Sequence, residues 1–97
     1  MATFITLANY TAQGIANIKD SPGRLDAARE QLAPLGIEIK DTYLTMGEYD
    51  LVIVVEAPDN VTAAKALIAL GAQGNVSTTT LAALTENEFR NLIAEMD

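Results

Sequence analysis

From Phe4 to Asn9 the chain alternates, with Phe4, Thr6 and Ala8 on one side and Thr3, Ile5 and Leu7 on the other. That period of two, in β-forming residues, predicts a first strand. Thr11 to Lys19 reads as a turn-like stretch that begins helical. Asp20-Ser21-Pro22-Gly23 then reads as a helix start, with Ser21 as cap and Pro22 at the first helical position. Leu25, Ala28, Leu32 and Leu35 follow at helical spacing, so one apolar stripe faces a core. Pro34 and Gly36 end that helix.

Ile37 to Met46 predicts a second strand, with Ile37 and Ile39 on one face and Glu38 and Lys40 on the other. Gly47-Glu48 supplies a turn, and Tyr49 to Glu56 is the third strand, stopped by Pro58. Asp59 caps a second long helix running to Leu70, with Val61, Ala64, Leu67 and Ile68 as its expected buried stripe and Gly71 closing it. The Thr-rich stretch Asn75 to Leu81 is the fourth strand. Thr85-Glu86-Asn87-Glu88 is a capping box, with Leu84 and Phe89 placed as a staple. Phe89, Leu92, Ile93 and Met96 form the apolar face of a final helix.

The order β-α-β-β-α-β with right-handed crossovers gives an α+β, ferredoxin-like sandwich, an antiparallel four-stranded sheet with an extra C-terminal helix. Its first and third strands belong in the middle. The third strand supports this, since Leu51, Ile53 and Val55 on one side are matched by Val52 and Val54 on the other. The second and fourth strands carry polar alternates, as edges do. Helices cover only one face of such a sheet, so one aliphatic set is left for another surface. A dimer packed sheet against sheet is the economical reading. The competing one folds the last helix back over that face.

With 97 residues the chain is expected to be a single domain, 1–97. Hydrophobic residues are 49% of it, which excludes intrinsic disorder. Six Lys and Arg against 13 Asp and Glu leave a net charge of −7, so no nucleic-acid partner is expected. Neither Cys nor His occurs, which removes thiolate nucleophiles, disulfides, catalytic imidazoles and His-ligated metals. The start Met1-Ala2-Thr3-Phe4-Ile5 lacks a basic leader region, and the aliphatic run Leu51 to Val55 is far short of the ~20 residues of a membrane span. A cytoplasmic protein with no membrane partner is the expectation.

Tyr43-Leu44-Thr45-Met46-Gly47-Glu48-Tyr49-Asp50, continued by Leu51 to Glu56 and Ala57-Pro58-Asp59, resembles the GYD-domain family. Thr11-Ala12-Gln13-Gly14-Ile15, Lys19-Asp20-Ser21-Pro22 and Gly74-Asn75-Val76 match the same family, so the resemblance spans nearly the whole chain. Glu48 separates Gly47 from Tyr49 and Asp50, and the name-giving triplet is read here as Gly-x-Tyr-Asp. The resemblance implies a ferredoxin-like, dimeric α/β-barrel type of domain. It implies no activity and carries over no catalytic residue.

Candidate chemistry is sparse. Gly47, Tyr49 and Asp50 sit at the hairpin, where Gly allows a positive φ and Asp50 bonds local backbone; alternatively Tyr49 and Asp50 rim a pocket. Glu56 ends a hydrophobic strand, as a solvated carboxylate or an acid-base group. Asp50 and Glu56 are thus weak catalytic candidates, and Tyr10, Tyr43, Tyr49 and Asp50 the candidate ligand contacts. Lys19, Asp20 and Arg24 read as a charged, solvated helix entry. Gly71-Ala72-Gln73-Gly74 looks like a GxxG clamp, but no charged residue lies between Ala66 and Thr85 to serve a phosphate. The carboxylates are too dispersed for a metal loop, and no cofactor motif occurs. Two functions remain: a non-enzymatic oligomeric module binding a small molecule or protein at the sheet–sheet interface, or a cofactor-independent enzyme, monooxygenase- or isomerase-like, of the dimeric barrel type.

Overall fold

The computed structural model describes residues 1–96; Asp97, the last residue of the expected domain, lies outside them. Four strands form one antiparallel sheet: β1 (Ala2–Tyr10), β2 (Glu38–Leu44), β3 (Leu51–Ala57) and β4 (Val76–Ala83), in the order β2-β3-β1-β4. The doubly apolar strands are central and the polar-alternating ones are edges, as the pattern requires. Phe4 pairs with Val55, Ile5 with Val54 and Leu7 with Val52, so each aliphatic set lies on a single face. A register shift between Ile39 and Asp41 lets Lys40 bulge from the β2 edge.

Between β1 and β2 come a short helix α1 (Ala12–Ala16), a 3-10 turn (Ile18–Asp20) and α2 (Ser21–Leu32). Ser21 is not the cap of α2. Because the backbone is already helical at Asp20, φ −84 and ψ −8, the helix grows out of the preceding turn. The Ser21 hydroxyl instead meets Tyr10 Oη at 2.7 Å. Leu25, Ala28 and Leu32 face the sheet, but Leu35 falls in a 3-10 turn (Ala33–Leu35) and is exposed. Gly36 closes this segment at φ 77.

Helix α3 (Asn60–Ala72) turns a different face inward from the one expected. Ala63 is buried and Ala66, Leu67 and Leu70 are half-buried, whereas Val61, Ala64 and Ile68 are exposed. Small residues win because they let the helix approach the sheet closely, beside Phe4, Ile37 and Ala57. Gly71 lies within the helix; the positive φ belongs to Gly74, at 82.

Both expected side-chain caps after the hairpin form. Asp59 Oδ1 accepts from Thr62 N at 2.7 Å. At the start of α4 (Glu86–Ala94), Thr85 Oγ1 accepts from Glu88 N at 3.2 Å and Glu88 Oε1 accepts from Thr85 N at 3.0 Å. The Thr62 backbone N–H holds Asp59 below the ordinary carboxylate range, and that of Thr85 does the same for Glu88. A carboxylate lowered by folding stabilises above its unfolded pKa and loses that contribution as pH falls through its folded value. Helical circular dichroism should therefore hold down to about pH 5 and decline below about pH 4. Glu88→Gln should remove α4's share of that decline; an unchanged acid limb would show that the box contributes nothing.

Helix α4 leaves the body of the protein. Every residue from Thr85 to Met96 is exposed, the apolar Phe89, Leu92, Ile93 and Met96 included, so it does not fold back over the sheet. The radius of gyration is 14.7 Å, against about 12.5 Å for a compact chain of this length. Among the described residues no helix is long and apolar enough to cross a membrane.

Candidate functional site

The two faces of the sheet have different fates. Thr6 and Ala8, with Phe4, are buried beneath α2 and α3, and Leu51, Ile53 and Val55 complete that side. A cavity of about 220 Å³ runs between helices and sheet, with Ala27, Ala28, Ala63, Ala66 and Ala69 in its lining. At one end its lining is Phe4, Ile37 and Ala63. At the other lie Tyr10, Ser21, Arg24 and Asn75. Midway, the hydroxyls of Thr6 and Thr80 pair at 3.0 Å, which lets both sit among aliphatic neighbours.

Arg24 occupies the first full turn of α2, on the same side as Ser21 and Ala28. Its Nη1 donates to the Asn17 carbonyl at 3.1 Å. Nη2 is shut away from solvent and has no partner among the described residues. The ion pairs among those residues are Arg29–Asp26, Lys40–Glu38 and Arg90–Glu86, all on the surface, and Arg24 joins none. A solvated helix entry is therefore the wrong description of Arg24. Its signal in the sequence is position: Ser21, Arg24 and Ala28 continue the inward stripe at spacings of three and four.

The other face is open. Ile5 and Leu7 of β1, Val52 and Val54 of β3, Tyr43 of β2 and Leu81 of β4 are neighbours by register. The first four are half-exposed and the two edge residues more so, with no element laid over them. The surface totals 6567 Å², about 1,200 Å² more than a compact protein of this mass exposes. Tyr43 and Leu81 of the open face and Phe89, Leu92, Ile93 and Met96 of α4 are among the exposed large apolar residues.

The candidate residues from sequence do not gather at one point. Tyr10 lines the cavity. Tyr43 and Glu56 lie on the open face, where Glu56 stands opposite Glu38 and Thr3. Tyr49 is half-buried in the hairpin loop, and its carbonyl accepts from the Thr45 hydroxyl. Asp50 fixes backbone: its Oδ2 accepts from Tyr10 N at 2.9 Å, while its own N–H reaches Ala8 O at 3.0 Å and Asn9 Oδ1 at 3.1 Å. Gly47, at φ 153, supplies the turn. Sequence reasoning missed Arg24, Ser21, Thr6 and Thr80 as a polar set inside the helix-covered layer. Among the described residues no group of three or more acidic side chains is placed to hold a metal ion.

A family model described as the GYD domain matches residues 4–93. The chain is also 36% identical, over 85 residues, to a Thermus thermophilus protein named as a glutamine synthetase and cystathionine beta-lyase binding protein. That alignment covers 87% of this chain and 90% of the relative. No solved structure gives a significant match.

Proposed function

This chain belongs to the GYD-domain family, and from that membership we propose that it is a non-enzymatic protein-binding module. It pairs with a second copy through the open sheet face, and the assembly docks on a metabolic enzyme. The observation that carries this reading is the set of exposed apolar residues on the open face and α4, in a chain with about 1,200 Å² more surface than a compact protein of its mass. A nine-residue helix is not stable alone in water, so an α4 with every residue exposed gains from contacts with another chain. About 800 Å² per partner makes an ordinary stable interface, and the surplus exceeds that. The relative's name supports an enzyme as the further partner.

Light scattering across a dilution series should give a species of twice the chain mass at micromolar concentration. Val52→Lys, which sets a charge in the middle of the open face, should give single chains with an intact far-UV spectrum. Immobilised wild-type protein should retain purified glutamine synthetase or cystathionine beta-lyase from its own source, and Ile93→Ser should weaken that retention. A chain that stays single at every concentration and retains neither enzyme would end this reading.

A further inference from the structure

We propose that the cavity between the sheet and helices α2 and α3 binds a small monocarboxylate with an apolar tail, its carboxylate held by Arg24. This site stands apart from the proposed self-pairing, which uses the opposite face of the sheet, and from α4. The cavity carries its one charged lining residue at one end, and the Thr6 and Thr80 hydroxyls midway satisfy each other. Tyr10, Ser21 and Arg24 stand at the charged end, while the opposite end is lined by Phe4, Ile37 and Ala63. A ligand that fits both ends is amphipathic, with one compact polar head.

The sign of that head follows from Arg24. A guanidinium cannot lose its proton, and a buried, unpartnered N–H on a charged group is costly. Here Nη2 is such a group, and no carboxylate of the described residues pairs with Arg24. Carboxylate geometry matches the guanidinium fork. In a chain of net charge −7 the overall field repels anions, so the attraction has to be local. A phosphate head fits poorly, because Arg24 is the only cationic residue in the lining. Size sets the rest. At about 220 Å³ the space lies below the ~300–1,000 Å³ of sites for drug-sized molecules, which points to a short alkyl or single-ring tail. The Tyr10–Ser21 hydroxyl pair, at 2.7 Å, offers further hydrogen bonds at the same end.

Hexanoate, hexan-1-ol and hexylamine share a tail and differ in head charge. Calorimetric titration of the whole protein should show saturable hexanoate binding, roughly tenfold or more tighter than hexan-1-ol, and none for hexylamine. Arg24→Met keeps the length and removes the fork. It should weaken hexanoate by a similar factor, leave hexan-1-ol unchanged and not lower the melting temperature, because an unpaired charge has become apolar. Ala28→Leu fills the cavity while keeping Arg24, and should reduce binding of both hexanoate and hexan-1-ol. Should Arg24→Met fail to fold, Ala28→Leu and the three-head comparison still decide. Equal affinity for acid and alcohol, or hexanoate binding unaffected by Ala28→Leu, would overturn the assignment.

Discussion

Gly14→Ala should destabilise the protein by about 2–4 kcal/mol, although helix propensity alone gives the opposite sign. Gly14 lies within α1, where Ala is favoured over Gly by roughly 1 kcal/mol. A Cβ at this position, however, would fall inside the van der Waals surface of the Asn75 carbonyl and press on the Tyr10 ring, 3.2 Å away. That carbonyl cannot simply move aside. It accepts from Thr11 N at 3.1 Å, and the Thr11 hydroxyl donates to the neighbouring Gly74 O at 2.6 Å. Gln13 Nε2 adds bonds to Gln73 O and Asn75 Oδ1, both at 3.2 Å. Making room for one methyl therefore loosens the seam joining α1 to the start of β4. At this chain length each kcal/mol moves the melting temperature by about 4–8 °C. Thermal denaturation checks the expectation, and a melting temperature equal to or above wild type would show that the seam yields freely.

The same contrast between pattern and packing explains what was legible in the sequence. Strand order could be read because β-α-β-β-α-β with right-handed crossovers puts the first and third strands in the middle, and the third carries aliphatic residues on both sides. The Asp59 and Thr85 caps could be read because capping is local chemistry with fixed spacing. In α3 the apolar face could not be read. Asn60–Ala72 is rich in alanine and leucine all round, so more than one stripe satisfies helical spacing. The choice was made by how closely the helix approaches the sheet, which depends on Ala63 and Ala66 and not on the larger Val61 and Ile68. Arg24 escaped for a related reason. Lys19, Asp20 and Arg24 together look like a solvated helix entry, which masks that Arg24 falls on the inward stripe with Ser21 and Ala28. For α4 the sequence showed an apolar face, and the structure leaves that face, Phe89, Leu92, Ile93 and Met96, exposed.

Asp50 joins the hairpin to the end of β1, and Asp50→Ala should lower stability by about 1–3 kcal/mol, the range for losing a charged acceptor from a part-buried backbone donor. Its carboxylate reaches across to Tyr10 N, at the end of β1, while its backbone carbonyl accepts from Thr45 N at 2.8 Å and its N–H binds β1 at Ala8 O. One residue thereby fixes where β2, β3 and β1 begin their pairing. The consequence is larger here than in an ordinary hairpin. A one-residue slip would exchange Leu51, Ile53 and Val55 with Val52 and Val54, turning the helix-covered set to the open face. Both sets are aliphatic, so hydrophobicity opposes the slip weakly, and the hydrogen bonds at the hairpin have to specify the register. Loss of the Tyr10 bond should appear as faster hydrogen exchange at the Tyr10 amide and as weaker self-association, since the open face is then less uniquely composed. Asp50→Asn keeps an acceptor at nearly the same place without the charge, and should fall between wild type and Asp50→Ala. If Asp50→Ala instead melts like wild type and keeps its Tyr10 amide protected, register is held elsewhere in the hairpin.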